Sequence, residues 1–353
     1  MQADTGARYL EITVRYLFLV VLLLSVWRHC LAQGNDFYER ATPTEPVRAV
    51  LDAFSSHSVV AIGYGGPREE AHAFRVSLIR DPRFAEVVDE VVVYFGNSRY
   101  QDTIDRYTRG DDVPYDELKK VWQNTTQPHD GWDRPIYAAF YSEVRLLNAS
   151  LPADRRIRIV LADPPIDWSE IEAYRDLLPW LQRRFEFFTA TVEREAATGQ
   201  RLLLIGGASF FARSGPEWAP ESEMPIERIE RASGARAFTI WTTMFETLSD
   251  FQEDVTSWPR PSLALVSGTK IGSIEYNILS HDGTPGTLQD HYDAVLYLGA
   301  ADDLVESKLD PELCSDQEYL AMRLPRLRMA ADEGGPGWLE DFERYCASSL
   351  MRR

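Results

Sequence analysis

Four short apolar runs of the chain each end in residues that could bind a ligand or take part in chemistry. These residues are Gly63, Tyr64 and Gly66 after the first run, Tyr94 and Asn97 at the second, Asp163 and Asp167 after the third, and Ser209 after the fourth. An apolar run without polar alternation is typical of a strand buried on both faces in a parallel sheet. Because ligands bind beyond the carboxyl ends of such strands, the sequence predicts one ligand-binding crevice lined by these residues.

The two aspartates are the acidic members of this set. A pair of nearby carboxylates, such as Asp163 and Asp167, can hold a divalent cation or act as a general acid and base. In the alternative interpretation, Asp163 caps the loop that contains Pro164 and Pro165, and Asp167 is the N-cap of the next helix. The sequence leaves both interpretations open. It contains no Cys or His cluster with the spacing of zinc ligands.

The other predicted crevice residues carry less specific signals. The bend 63–66 could cradle a phosphate, but it lacks the G-x-G-x-x-G spacing and the lysine of a P-loop, so a tight turn is the alternative. Tyr64 and Tyr94 either face each other across the crevice or fill the core with their rings. Ser209 has no G-x-S-x-G context, and His72 is expected on a helix. The catalytic residues, if there are any, are unknown from the sequence.

The crevice residues need a sheet to position them, and the chain alternates predicted strands with predicted helices. The predicted strands are 59–62, 90–95, 157–162, 201–205, 237–241, 263–267 and 294–298. The predicted helices include 69–80, 98–107 with Ser98 and Gln101 as a capping box, 110–122, 133–151, 169–197, broken or kinked at Pro179, 316–330 and 338–351. This alternation predicts an α/β fold, a mainly parallel sheet flanked by helices on both faces, with a helical insertion at about 110–151. We expect residues 57–350 to form a single α/β domain.

The first 32 residues differ in composition from the rest of the chain. Arg8 and Arg15 precede the apolar run 16–27, and the small residue Ala32 ends the segment. This is the layout of a secretory signal peptide. The apolar run is shorter than the roughly 20 residues that a membrane span requires. Because Arg28 and His29 lie between this run and the cleavage site, an uncleaved N-terminal anchor is the alternative. A polar approach segment, 33–56, follows, and we expect an exported protein, periplasmic or secreted, that contacts a membrane only through residues 16–27.

The charge of the chain restricts its partners. The 353 residues carry a formal net charge of −18, which argues against a broad basic surface for nucleic acid. The expected partner is a small molecule or a peptide of unknown identity. Beyond the predicted leader the chain has two cysteines, Cys314 and Cys346, which either form a disulfide in an oxidising compartment or remain buried thiols.

Several segments resemble the clan that groups ChaN-like haem-binding lipoproteins, Tiki-type proteases and erythromycin-esterase-like proteins. These segments are Gly63, SLIRDPRF at 77–84, FGNSRYQ at 95–101, DPPIDW at 163–168 and YLG at 297–299. The resemblance covers most of residues 57–330. It implies the α/β fold of an exported bacterial protein.

The functional motif of that clan has a Glu after the first strand, a His two residues later, a Glu at the second strand and a His in the bend after the fourth. The matching positions in this chain are Tyr64, Gly66, Tyr94 and Ser209, and none of them supplies a carboxylate or an imidazole. The resemblance therefore implies a degenerate active site, in a ligand-binding or structural module that needs no cofactor.

Two further functions stay open at this point. A hydrolase of ester or peptide bonds could use a relocated site of Asp163, Asp167, His72 or His129, with or without a divalent metal. Haem binding is the other, since a tyrosine can ligate haem iron.

Overall fold

A computed structural model describes residues 38–215, 224–243, 255–277, 284–333 and 337–351. The predicted signal peptide or anchor, 1–32, and the first five residues of the approach segment, 33–37, lie outside these ranges. A seven-stranded sheet runs through the described part of the chain. Its strands are β1 Val59–Gly63, β2 Glu90–Asn97, β3 Arg158–Asp163, β4 Leu202–Gly206, β5 Phe238–Thr242, β6 Ser262–Leu265 and β7 Ala294–Tyr297.

The strands lie in the order β3-β2-β4-β1-β5-β7-β6. All neighbouring strands pair in parallel except β6, which runs antiparallel to β7 at one edge. Every residue of β1, β2, β4 and β7 is buried, as expected for strands covered on both faces. The predicted α/β fold with a mainly parallel sheet is confirmed.

Helices connect these strands. In the described ranges they are α1 Pro46–Ala53, α2 Glu69–Arg80, α3 Phe84–Val87, α4 Gln101–Arg109, α5 Tyr115–Leu118, α6 Lys120–Gln123, α7 Pro135–Ala149, α8 Tyr174–Gln182, α9 Arg184–Ala196, α10 Pro225–Ser233, α11 Leu288–His291, α12 Gln317–Asp332 and α13 Trp338–Leu350.

The direction of the crossovers explains why helices cover both faces of the sheet. From β1 through β2 to β3 the chain moves toward one edge, and from β3 through β4 to β5 it returns toward the other. Since parallel crossovers are right-handed, connections in opposite directions lie on opposite faces. Accordingly α7 packs against α2 and α4 on one face, while α9 packs against α10 on the other.

The segment 110–151, predicted as a helical insertion, contains α5, α6 and α7. A single helix over 110–122 was expected, and this prediction is wrong, because two short helices replace it. Gly110 takes a left-handed conformation with φ of 108° that ends α4, and Pro114 disfavours helical backbone at the residue before it. The chain therefore starts a new helix only after Pro114.

The predicted start of α4 is also wrong. Asn97, not Ser98, caps the first turn, since its side chain accepts a hydrogen bond from the backbone N–H of Arg99. Gln101 instead hydrogen-bonds β3, donating to the Ile159 carbonyl at 2.7 Å. The helical region predicted to be broken or kinked at Pro179 is divided at Arg183 instead, because α8 continues through Pro179 and ends at Gln182. The carbonyl that Pro179 leaves without its helical donor belongs to an exposed arginine, Arg175, where water can satisfy it.

The C-terminal helices α12 and α13 enclose a second, smaller apolar core. In this core the sulfur atoms of Cys314 and Cys346 are bonded to each other. In the part of the chain that the structure describes, no helix combines the length and the apolar character needed to cross a bilayer.

Candidate functional site

The bend after β1 is built by the backbone requirements of two glycines. Gly65 and Gly66 have φ of 74° and 71°, a conformation that side-chain-bearing residues rarely adopt. A Cβ at Gly65 would also lie 2.9 Å from Cγ2 of Thr242 on β5. The Tyr64 N–H donates to the Gly206 carbonyl at 2.7 Å, which ties the bend to β4. The bend is therefore a tight turn that fixes the position of Tyr64.

Tyr64 and Tyr94 belong to an aromatic cluster at the carboxyl edge of the sheet, together with Trp132 and Tyr137. The Tyr64 and Tyr94 rings meet edge to face with centroids 5.6 Å apart, and each also packs edge to face on Trp132, at 5.4 and 5.0 Å. The Tyr137 hydroxyl donates to the Tyr64 hydroxyl at 3.1 Å. Burial raises the pKa of Tyr64, and those of Tyr94 and Tyr137 well above their usual value, so all three are neutral at pH 7.

Asp163 ends β3 beside this cluster, and its carboxylate is fully engaged. The backbone N–H and the hydroxyl of Thr126 donate to its two oxygens at 2.7 and 2.6 Å. Arg184, at the start of α9, lies 3.5 Å from Oδ1 and places its guanidinium 6.0 Å from the centre of the Tyr94 ring. The carboxyl is 1% exposed, and burial raises its pKa to about 6 despite these donors.

Asn97 and Asp167 hold the loops around the site in place. The Asn97 amide donates to the carbonyls of Asn124 and Ile166 at 2.6 and 3.0 Å, so it joins two loops. Asp167 caps the turn after it by accepting from the Ser169 N–H at 3.0 Å, and it pairs with Arg99 at 2.7 Å. Asp167 acts as the N-cap that the structural alternative describes, and these contacts do not pair it with Asp163.

Ser209 lies at the same edge of the sheet but stands apart from the aromatic cluster. Its side chain is exposed, and the residue that joins the cluster is its neighbour Phe210, whose ring lies 5.8 Å from that of Tyr94. The structure therefore brings Tyr64, Tyr94 and Asp163 together and leaves Ser209 at the rim.

The two histidines of the relocated hydrolase site are in different places. His72 lies on α2, with its buried Nδ1 unpartnered among the described residues, and burial lowers its pKa to about 4. His129 uses Nδ1 to accept from the Gly131 N–H at 3.0 Å and packs its ring 4.4 Å from Trp338. Burial lowers the pKa of His129 to about 3, so Nε2 carries the single ring proton of the neutral imidazole.

Within the described ranges, no group of three or more His, Cys, Asp or Glu side chains is arranged to hold a metal ion. The carboxylates near the site each have a different set of partners: Thr126 and Arg184 for Asp163, Arg99 for Asp167.

Two arginines and one tryptophan at this edge of the sheet were not predicted from the sequence: Arg75, Arg184 and Trp132. Arg75 of α2 donates from Nη1 to the Tyr64 carbonyl at 2.8 Å, and it is buried. Its position gave a signal, because Arg75 falls on the apolar stripe of Ala71 and Leu78 where a charged residue needs an explanation. Trp132 and Arg184 gave no such signal, since their places depend on loops and helices that meet only in the folded chain.

No family model matches the chain, and no curated protein matches it. Solved structures that are similar include a Bacillus cereus protein, 10% identical with a TM-score of 0.47, where the match covers 77% of this chain and 97% of the other. A succinoglycan biosynthesis protein is 10% identical with a TM-score of 0.46, covering 74% and 94%. ChaN of Campylobacter jejuni with cofacial haem is 11% identical with a TM-score of 0.36, covering 56% and 86%. At these identities and TM-scores, the likeness assigns neither a ligand nor an activity to this chain.

Proposed function

We propose that this chain is an exported binding module that holds a small ligand at the carboxyl edge of its sheet, and that it is not a hydrolase. The proposal rests on the side chains that occupy the strand ends. Tyr64 and Tyr94 provide hydroxyls and ring edges for binding, and both are neutral at pH 7 because burial raises their pKa. Neutral phenols can donate hydrogen bonds to a ligand but do not remove protons from water at that pH.

The state of Asp163 is the observation that carries the proposal. A general base needs a free oxygen within hydrogen-bond reach of the proton that it removes. The two oxygens of Asp163 accept from Thr126 and lie next to Arg184, and the carboxyl is sealed from solvent. This carboxylate fixes the loop that carries Thr126, which is a structural task.

The two imidazoles do not replace Asp163 as a general base. Both described histidines that were considered for a relocated site, His72 and His129, have pKa values lowered by burial, to about 4 and about 3. An imidazole with a pKa that low is a weak base at neutral pH. Nδ1 of His129 in addition accepts from the Gly131 N–H, so it is not free to remove a proton.

Export belongs to the same proposal. It is supported by the composition of residues 1–32, which lie outside the described ranges, and by the two cysteines that are bonded in the structure, a state that an oxidising compartment maintains. Edman sequencing of the protein recovered from outside the cytoplasm tests it, and an N-terminus at residue 33 is the expected result.

A ligand screen with matched variants tests the proposed function. The chain from residue 33 onward is heated with a library of small metabolites, and compounds that raise the unfolding temperature are repeated on Tyr64→Phe and on Tyr107→Phe. Tyr107 is the control because its hydroxyl contacts Ser142 on the helical face, outside the aromatic cluster. We expect at least one stabilising compound whose effect falls only in Tyr64→Phe. The proposal is wrong if no compound stabilises the chain, or if the hits respond equally to both variants.

A further inference from the structure

Arg75 is a buried cation in an apolar setting. It lies on α2 among the core residues Ala71, Phe74 and Leu78 and is 5% exposed. Removing a guanidinium from water is expensive, by several kcal/mol even after relaxation, unless opposite charge and hydrogen bonds compensate for it. The question for Arg75 is therefore which groups compensate its charge.

The described residues compensate it only in part. Nη1 donates to the Tyr64 carbonyl at 2.8 Å, whereas Nε is buried and has no hydrogen-bond acceptor among the described residues. No carboxylate of the described chain forms an ion pair with Arg75, and the groups that act on its charge are the hydroxyls of Tyr64, Tyr94 and Tyr137. Burial lowers the pKa of Arg75, but an arginine stays protonated in proteins.

The tyrosines do not supply the missing negative charge. Burial raises the pKa of each, so no phenolate forms near neutral pH. Tyr137 donates to the Tyr64 hydroxyl, which leaves the proton of Tyr64 available to a further acceptor. Two donors of the site, Arg75 Nε and the Tyr64 hydroxyl, thus have no acceptor among the described residues.

Other arginines add positive charge at the same place. Arg68 and Arg134 both act electrostatically on Tyr64. Arg134 pairs with Glu306 at 2.8 Å, but its buried Nε also has no acceptor among the described residues. In a chain with a net charge of −18, this spot is locally cationic. Tyr64, Arg68 and Arg134 are partly exposed, so the cluster reaches the surface.

We propose that this cluster binds a small organic carboxylate, with the two carboxylate oxygens held by the Arg75 guanidinium and the Tyr64 hydroxyl. A planar carboxylate matches the edge of a guanidinium and can accept two parallel hydrogen bonds from it. The ring of Tyr64, which is partly exposed and packs on Tyr94 and Trp132, offers apolar surface to the organic part of the ligand, which inorganic phosphate would not use. The inference deepens the proposed function and rests on it, because it names the ligand class for the same site.

A structural role for Arg75 gives opposite expectations. If Arg75 served only to bond the Tyr64 carbonyl, then Arg75→Met would destabilise the ligand-free protein and carboxylates would have no effect. If the charge of Arg75 is compensated only when a ligand is bound, Arg75→Met removes an uncompensated buried cation from the ligand-free protein. The ligand-free variant then unfolds at a temperature equal to or above that of the wild type.

The test is calorimetric titration of the chain from residue 33 onward with benzoate, with benzamide as the uncharged analogue and inorganic phosphate as the alternative anion. Wild type is compared with Arg75→Met, Tyr64→Phe and the control Arg80→Met, an exposed arginine of the same helix that pairs with Glu143. We expect saturable binding of benzoate, at least tenfold weaker in Arg75→Met, weaker by about threefold to tenfold in Tyr64→Phe, and unchanged in Arg80→Met.

Four results would overturn the inference: no saturable binding of benzoate to wild type, binding that survives Arg75→Met, binding of phosphate in preference to benzoate, or a ligand-free Arg75→Met that unfolds at a lower temperature than wild type. Tyr64→Phe tests the same site without changing its charge, since it removes one hydroxyl and leaves the ring. If the screen finds an uncharged ligand that needs Tyr64 while benzoate fails, the inference falls and the binding function stands. Turnover of substrates would remove the binding function and leave the benzoate result intact.

Discussion

Several residues at the carboxyl edge of the sheet have side chains that could take part in chemistry but that contact and hold neighbouring loops in the structure. Asp163 is the clearest case, because the same residue type would serve as a metal ligand, a base or a cap. In the structure its oxygens contact partners that come from distant segments, Thr126 on one side and Arg184 on the other, and these contacts support the structural role. Neither partner is near Asp163 in the sequence, so the role could not be read from the motif.

Asp163→Asn is predicted to destabilise the fold by about 2–4 kcal/mol at pH 7.5, because an amide cannot accept from both Thr126 donors and leaves Arg184 without its counter-charge. The pKa of Asp163 is raised from 3.8 to about 6, so between these values the folded state binds the proton more tightly than the unfolded state. Wild-type stability from this group therefore falls as the pH rises from about 4 to about 6.

The cost of Asp163→Asn should accordingly be larger at pH 4.5 than at pH 7.5. Urea unfolding of both proteins at the two pH values measures this difference, and the titration of His72 and His129 cancels in the comparison. A cost that shrinks on acidification would show that the folded-state pKa of Asp163 is lowered instead of raised.

At the scale of the element, the loop 123–133 is positioned by a helix from the far end of the chain. Arg323 of α12 is 1% exposed, donates to the carbonyls of Pro128 and His129 at 3.0 Å, and pairs with the buried Asp133 at 2.7 Å. This loop carries Trp132, which packs on both Tyr64 and Tyr94. Helix α12 thus sets one wall of the candidate site.

Arg323→Met should lower the free energy of unfolding by about 3–5 kcal/mol, because it leaves the Asp133 carboxylate buried without its cation. The control is Arg328→Met, which changes an exposed arginine of the same helix. Chemical denaturation of the three proteins measures the effect. Equal stabilities of the two variants would show that α12 does not hold the loop.

The elements themselves were largely predictable, and the failures have local causes. Helix α2 was predicted at its observed bounds, since acidic residues begin it and Asp81-Pro82 follow it. The capping box at Ser98 was wrong because Asn97, one residue earlier, can cap the turn while Gln101 reaches across to β3. A pattern along the chain cannot show that a side chain has a better partner on a neighbouring strand.

For the whole molecule, the sequence predicted that the ends of the parallel strands lie at one edge of the sheet. It did not predict which side chains pack between them. Parallel pairing forces Tyr64, Tyr94 and Asp163 to one edge, and this follows from topology alone. The packing of Trp132 and Tyr137 against them depends on the loop and helix after α6, which reach the strand ends only in the folded chain.

A disulfide bond holds the C-terminal part of the chain together. The Cys314–Cys346 bond joins residues 32 positions apart and ties α13 to the segment before α12. Replacing both cysteines by alanine should lower the free energy of unfolding by about 3–4 kcal/mol, the amount expected for a loop of this length. Reductant should destabilise the wild type to the same extent and leave the double variant unchanged; a double variant as stable as wild type would contradict the prediction.

The central claim is that the carboxyl edge of the sheet binds and does not hydrolyse. Its most direct test is the turnover of short-chain nitrophenyl esters and an unstructured peptide pool by the chain from residue 33 onward, with and without added Zn²⁺ or Mn²⁺. Asp163→Asn is measured beside wild type at a temperature where both are folded. We expect hydrolysis rates that are indistinguishable between the two proteins and that do not rise with protein concentration. A rate proportional to the concentration of wild type and lost in folded Asp163→Asn would contradict it.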